Sequence, residues 1–153
     1  MTERKRFANP KTKYIQGYYK PNPDKYIGKK NPIFRSAWEL KYMKYCDVSS
    51  EIVAWCSESV GIRYYDPVRF KNRIYYPDFL IVLKDKSRVL VEIKPSRETK
   101  PPRDTVKKKR ITLIYEQVTY KTNKAKWEAA QKYCDSKGWK FQIITEKQLN
   151  AYK

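Results

Sequence analysis

Residues 74–94, IYYPDFLIVLKDKSRVLVEIK, decide the fold. Two runs rich in Ile, Val, Leu and aromatic residues, 74–83 and 88–93, flank a polar stretch, Lys84–Ser87. Two such runs joined by a short polar turn predict a β-hairpin. Side chains alternate along a strand, so we expect Val89, Val91 and Ile93 on a core face.

The opposite face of the same strand carries Glu92 and Lys94 beside Leu90. If the turn is centred on 85–86, the hairpin brings Asp78 to within about one residue of Glu92. The sequence therefore predicts two carboxylates and one ammonium at a single place.

Two acids in an apolar sheet are costly to bury unless a cation compensates them. Mg²⁺ binds through one or two carboxylates and keeps water and phosphate oxygens as its other ligands. We therefore expect Asp78 and Glu92 to hold Mg²⁺, with Mn²⁺ as a substitute, and Lys94 to orient water or stabilise developing charge. Two simpler interpretations stay open: Asp78 only caps its strand, and Glu92 and Lys94 form a solvated pair worth under about 1 kcal/mol.

The rest of the chain predicts alternating helices and strands. A capping-box pattern starts a helix at Ser36 that ends near Asp47. A short segment around 52–55 is expected to lead into a strand near 60–65. Helices are expected near 104–120 and 123–137, then a strand at 140–145 and a terminal helical turn. This order indicates one α/β (α+β) domain, with the hairpin in the middle of a mixed central sheet flanked by helices.

Two segments carry most of the excess positive charge. Residues 1–31, interpreted as an irregular arm before a domain at 32–153, hold nine basic residues and two acidic ones; residues 95–110 hold seven and two. The arm either contacts DNA or is a solvated tail whose tyrosines pack on the body. The DNA contacts predicted for the domain are Arg35, Arg97, Lys100, Arg103, Lys107, Lys108 and Lys126.

Composition narrows the function further. There are 35 Lys and Arg against 16 Asp and Glu, a net charge of +19, which favours a polyanionic partner, nucleic acid in particular. A ribosomal-type or membrane-surface protein that only uses its charge is the alternative that composition leaves open. The absence of His and three scattered Cys argue against zinc sites, disulfide frameworks and His-dependent triads. We find neither a membrane-spanning run nor a signal peptide, and expect a cytosolic protein without a small-molecule cofactor.

The residues Tyr76–Asp78 and Val91–Lys94 resemble the signature of PD-(D/E)xK nucleases. The resemblance implies a restriction-endonuclease-like core and assigns a catalytic role to Glu39, the acidic residue of the first helix. The capping-box position of Glu39 explains it equally well without catalysis. Glu58 falls where relatives carry a Glu or Gln before a strand, and Tyr76 is interpreted as a packing residue.

Five blocks, taken in order, resemble the head-completion nucleases of T-even-type bacteriophages: 31–47, 55–67, 74–82, 91–95 and 123–149. The resemblance implies a Mg²⁺-dependent endonuclease that acts on packaged phage DNA ends in the host cytoplasm. It also implies phage head, portal or packaging proteins as partners, and incorporation into the virion. A transposon-end or branched-DNA nuclease and a non-catalytic, DNA-end-binding head protein are the alternatives.

Overall fold

The structure is a computed structural model that describes residues 7–9 and 14–152. The predicted hairpin lies at its centre as strands β7 (Phe79–Leu83) and β8 (Arg88–Ile93). At the turn, Lys86 adopts a positive φ of 69° and the Asp85 carboxylate accepts the Ser87 N–H at 2.9 Å. An acidic side chain that bonds two residues onward stabilises such a tight reversal.

The hairpin forms the middle of a four-stranded sheet of order β4-β7-β8-β9. Strand β4 (Ile52–Ser57) pairs antiparallel with β7, whereas β9 (Lys140–Ile144) pairs parallel with β8. The mixed sheet and the central hairpin are confirmed. The predicted short segment near Ile52 is a full edge strand.

Both faces of the sheet are covered, which explains why the central strands are apolar throughout. Helix α1 (Ala37–Val48) packs with Phe79 and Val91 on one face. Helix α2 (Arg110–Lys137) covers Leu80 and Leu90 on the other face. A third helix, α3 (Glu146–Leu149), follows β9 as the predicted terminal turn.

Helix α1 begins as predicted. Ser36 is its N-cap, and the Ser36 Oγ accepts the Glu39 N–H at 3.1 Å. Such a cap contributes on the order of 1 kcal/mol because it satisfies a donor that the first helical turn leaves free.

The single strand predicted at 74–83 is wrong. Strands β5 (Ile62–Asp66) and β6 (Lys71–Tyr75) form a separate two-stranded sheet, and β7 begins only at Phe79. Pro77, between β6 and β7, has no N–H for a sheet ladder, so the chain leaves one sheet there and enters the other.

The two helices predicted at 104–120 and 123–137 are one continuous helix, α2. Its β-branched residues lower helix propensity by only tenths of a kcal/mol, and no Gly or Pro interrupts 110–137. The helix ends at Gly138, which takes the left-handed conformation with φ 71°, as expected of a helix-terminating Gly. A short 3-10 helix, Ser96–Thr99, precedes the irregular segment 100–109. No helix of the described ranges is long and apolar enough to cross a membrane.

The N-terminal segment is more regular than predicted. Strands β1 (Phe7–Asn9), β2 (Tyr14–Tyr18) and β3 (Ile33–Phe34) form a three-stranded sheet. Following β2, the Tyr19 hydroxyl donates to Asp47 at 2.6 Å, and the Tyr26 ring meets the Trp55 ring edge-on at 4.8 Å.

These contacts favour the interpretation in which tyrosines of the arm pack on the body, because the aromatic rings lose water-exposed surface there. The division of the chain at 31/32 stays a prediction. The basic residues Arg4, Lys5, Arg6, Lys11 and Lys13 lie outside the described residues.

Candidate active site

The register of the hairpin brings the two predicted carboxylates together. Phe79 pairs with Val91, so Asp78 lies across from Glu92 at the end of the ladder. The Ile93 N–H donates to Asp78 Oδ2 at 2.7 Å, which links the carboxylate to the neighbouring strand. Glu92 is buried, with 7% of its surface exposed, and Asp78 is partly buried.

Lys94 lies beside this pair, its Nζ 3.8 Å from Glu92 Oε2. Its backbone N–H donates to the Ile144 carbonyl at 3.0 Å, which continues the pairing of β8 with β9. The position of Lys94 is therefore set by the central sheet and not by a loop. The side chain of Lys94 is about one quarter exposed (27%), so its ammonium reaches solvent.

The electrostatics of the pair show a shortage of positive charge. Burial raises the pKa of Glu92, and the nearby Asp78 raises it further, while Lys94 and Lys126 oppose the shift. Burial also raises the pKa of Asp78, against the Ile93 N–H and Lys94. Two nearby acids that are costly to ionise together favour a proton or a cation between them.

Glu39 joins the same site from helix α1. Burial and the charge of Asp78 raise the pKa of Glu39 to about 7, although its bond with Ser36 acts in the opposite direction. The Glu39 carboxylate thus both belongs to the helix cap and interacts with Asp78. Its two interpretations are compatible, because the cap holds the side chain at the sheet end where Asp78 lies.

Tyr75 also belongs to the site, although only its neighbour Tyr76 was singled out from the sequence. Tyr75 is 5% exposed, and its hydroxyl has no hydrogen-bond partner, whereas Tyr76 is 52% exposed. Burial raises the pKa of the Tyr75 hydroxyl, and the adjacent Glu92 raises it further. The hydroxyl therefore stays a neutral donor beside the carboxylate. Only the break between β6 and β7 shows that Tyr75, and not Tyr76, faces inward.

Lys126, predicted from helix α2 as a phosphate contact, lies over two aromatic rings. Its Nζ is 5.7 Å from the ring centre of Tyr75 and 5.9 Å from that of Tyr64. Such contacts hold an ammonium with about 0.5–2 kcal/mol. Burial lowers the pKa of Lys126, while Glu92 raises it. A second ammonium thus faces the carboxylates from the helix side.

Arg35 and Glu58 form an exposed ion pair at the other side of the site. The Glu58 N–H donates to the Asp78 carbonyl at 3.0 Å, and Glu58 adopts a positive φ of 48°. The charge of Glu58 contributes to the raised pKa of Asp78. Arg35 is therefore next to the site, but its guanidinium already has an acidic partner.

The predicted contacts on the basic segment 95–110 separate into two groups. Arg97, Lys100, Arg103 and Lys108 line a cavity of about 550 Å³ beside helix α2, whereas Lys107 is exposed and does not line it. The structure brings neither group into contact with the carboxylates.

The donor set fits a hard divalent metal ion bound through two side chains. Within residues 7–9 and 14–152, no group of three Asp, Glu, Cys or His side chains is close enough to hold an ion. Asp78 and Glu92 remain, and their raised pKa values show a charge that a cation would relieve. Mg²⁺ needs only one or two protein carboxylates when phosphate and water complete its shell.

Two comparisons relate this chain to known nucleases. Residues 49–146 match the family model described as TnsA-like endonuclease N terminal, a span that includes Asp78, Glu92 and Lys94. The chain is also 39% identical over 139 residues to the head completion nuclease of Enterobacteria phage T4, with 85% of this chain and 89% of that protein covered.

Proposed function

Because the chain belongs to the TnsA-like endonuclease family, we propose that it hydrolyses DNA phosphodiester bonds with the help of a divalent metal ion. The expected ion is Mg²⁺. The observation that carries the proposal is the pair Asp78 and Glu92, adjacent in register and short of positive charge. If Asp78 only capped its strand, or if Glu92 and Lys94 only formed a solvated ion pair, the two carboxylates would not need to be buried next to each other. These two simpler interpretations therefore explain less of the geometry.

Asp78 and Glu92 would hold the metal ion, which when bound supplies Lewis acidity toward the scissile phosphate. Lys94, 3.8 Å from Glu92, orients the attacking water or stabilises the charge that develops on the phosphate. The Tyr75 hydroxyl lies beside Glu92 as a neutral group that can donate a hydrogen bond to the bound substrate or to water. Glu39, with a pKa of about 7, is suited to accept a proton from water near neutral pH.

Basic residues beside the carboxylates and farther away position the DNA. Lys126 contacts a phosphate next to the scissile one, and the residues of segment 95–110 neutralise phosphates farther along the strand. The described arm residues Lys29 and Lys30 are exposed and add to this surface.

The test is plasmid nicking by the purified protein with EDTA, with Mg²⁺ and with Mn²⁺. We expect cleavage only with metal, and loss of it in Asp78→Asn and Glu92→Gln while DNA binding survives. Asp85→Asn, at the turn of the same hairpin, is the matched control and should cut normally. Binding without cleavage by the parent protein under every metal condition would support the alternative, a non-catalytic DNA-end-binding protein.

The biological setting is proposed from the relative alone. A head completion nuclease that is 39% identical suggests action on packaged DNA ends in an infected bacterium, next to head, portal or packaging proteins. Mass spectrometry of purified virions tests incorporation. A protein confined to the host cytoplasm, with no head protein captured by crosslinking, would contradict this setting but not the nuclease chemistry.

A further inference from the structure

A cavity of about 550 Å³ lies between segment 96–103 and helix α2. Four cationic side chains line it: Arg97, Lys100, Arg103 and Lys108. Two acids are also present, and one of them, Glu116, is paired with Lys108 at 2.9 Å. The cavity is therefore basic, with Arg97, Lys100 and Arg103 available to an anionic ligand.

Both walls of the cavity carry residues that are near residues of the candidate active site in the chain. On one wall, Ser96 follows Lys94 by two residues. On the other, Asn123 of α2 precedes Lys126 by three residues, a rise of about 4.5 Å along the helix. A nucleic-acid strand could therefore place one phosphate at the carboxylates, between Lys94 and Lys126, and its neighbouring nucleotides in this cavity.

The aromatic residues of the wall suit nucleobases. Tyr115 is 72% exposed, so its apolar ring faces solvent without a packing partner that covers it. Tyr120, on the same helix, also lines the cavity. Asn123, buried at the inner end, offers an amide donor and acceptor. Aromatic faces next to cations bind single-stranded nucleic acid, with about 1–3 kcal/mol per stacked base.

The cavity has the size of a small-ligand site. Its volume is in the range of roughly 300–1,000 Å³ that is typical of small-ligand pockets. A nucleotide enters such a recess only when it is unpaired. We therefore expect a single strand or its end as the occupant, and not a double helix.

We propose that this cavity binds unpaired nucleotides next to the scissile phosphate, so that DNA with a single-stranded end or flap is the preferred substrate. The proposal rests on the proposed nuclease function and adds the substrate class to it.

Binding is measured first, in the Asp78→Asn background and without cleavage. The probes are a blunt duplex and the same duplex with a 5′ or a 3′ overhang of six nucleotides that carries 2-aminopurine. We expect stacking on Tyr115 to quench 2-aminopurine, and one of the overhangs to bind about tenfold more tightly than the blunt duplex. Tyr115→Ala should remove the quenching and the preference, whereas Tyr115→Phe should keep both.

Controls separate the cavity from general attraction. Arg97→Ala should weaken binding of the overhang more than of the blunt duplex, and Lys107→Ala should weaken both equally. Tyr65→Ala, which removes an exposed tyrosine of β5, should leave both unchanged. Circular dichroism confirms that each variant folds.

Equal affinity of the parent for all three probes would overturn the proposal, as would an equal loss on all probes in Tyr115→Ala. Cleavage of blunt and overhanging DNA at equal rates would refute the substrate preference and leave the nuclease function standing. Quenching without cleavage by the active protein would refute the nuclease function and leave the cavity standing.

Discussion

Two groups of buried acids in this protein differ in what surrounds them. Asp66, with none of its surface exposed, accepts the N–H groups of Val68 at 2.9 Å and Arg69 at 3.1 Å. Arg69 and Arg73 contact its second oxygen at 3.1 and 3.7 Å. Burial opposes ionisation there, but these donors outweigh it and lower the pKa of Asp66.

Asp78 and Glu92 are the opposite case, because burial raises both pKa values and the charge of Asp78 raises that of Glu92 further. The two lysines beside Glu92 do not restore the balance. A buried carboxylate with a full set of donors stabilises the fold, as Asp66 does within its own turn. A buried pair with too few donors lowers the stability and marks a place where a cation binds. Burial alone does not distinguish the two roles; the partners do.

The largest expected effect is a crossed pattern of two substitutions. Asp78→Asn should reduce cleavage to below about 1% of the parent rate, because a metal ligand is lost, and leave the melting temperature unchanged or higher. Asp66→Asn should lower the melting temperature, because the bonds to two arginines lose their charge, and leave kcat within about twofold. Nicking assays and thermal melts measure both. Equal loss of activity in the two variants would contradict the assignment of Asp78 to catalysis and of Asp66 to stability.

The next effect separates the two lysines that face Glu92. Lys94→Ala should reduce kcat by about a hundredfold, since its ammonium acts on water or transition-state charge, while calorimetry still detects Mg²⁺ binding. Lys126→Ala should mainly raise KM, because it removes a phosphate contact. Lys124→Ala, on the exposed side of the same helix, is the control. Loss of Mg²⁺ binding in Lys94→Ala would contradict the role proposed for Lys94.

A smaller effect concerns stability against pH. The pKa of Glu39 is raised to about 7, so the folded state holds a proton that the unfolded state has lost between about pH 4.5 and 7. Metal-free protein therefore loses stability as pH rises through this window, by at most about 3 kcal/mol. Below the window both states are protonated and the difference disappears.

Glu39→Gln removes this titration. Compared with the parent, the variant should be more stable at pH 8, and this advantage should be absent at pH 4.5. Urea unfolding at the two pH values measures the gain. Glu51→Gln, an exposed acid, should show none. A Glu39→Gln difference that is the same at both pH values would contradict the raised pKa.

The smallest effect extends the comparison to basic residues of the arm. Lys25 has partners, since its Nζ donates to the carbonyls of Ser49 at 2.6 Å and Cys46 at 3.2 Å at the end of α1. Lys29 and Lys30 are exposed. Lys25→Gln should lower the melting temperature, whereas Lys29→Gln with Lys30→Gln should reduce the slope of log K against log salt by up to about 2. A changed melting temperature in the double variant would mean that these two lysines are structural.

The contacts of Tyr19 and Tyr26 with the body change the interpretation of larger deletions. Removing residues 1–30 would take away both aromatic contacts and the Lys25 bonds, so the stability would fall together with the charge. Point substitutions at Lys29 and Lys30 measure the charge alone.

Much of the hairpin could be predicted from the sequence. Alternation placed Glu92 and Lys94 on one face, and the symmetric turn placed Asp78 opposite Glu92, as the register now shows. The cap at Ser36 and the helix-terminating Gly138 were also predicted correctly. These features depend on contacts within about 15 residues, where backbone geometry leaves few alternatives.

The break at Tyr76–Asp78 and the continuity of α2 could not be predicted in the same way. Pro77 and the lack of Gly and Pro in 110–137 are local signals of the two features, but which sheet a strand joins depends on tertiary packing and is not contained in local propensities. The prediction of one strand at 74–83 failed because Ile74 and Tyr75 are as strand-prone as β7 but pair with β5.

By itself the sequence determined the central hairpin, the neighbouring acids and lysine on it, and the positive charge, because period-two alternation and composition act locally. Only the tertiary structure decided that Lys126 faces Glu92 across 34 residues of chain and that Glu39 meets Asp78 across 39. Those encounters require α2 and α1 to pack on opposite faces of one sheet. Packing is driven by burial of apolar surface, which is non-directional, so the partners of a polar residue far along the chain appear only when the whole core is assembled.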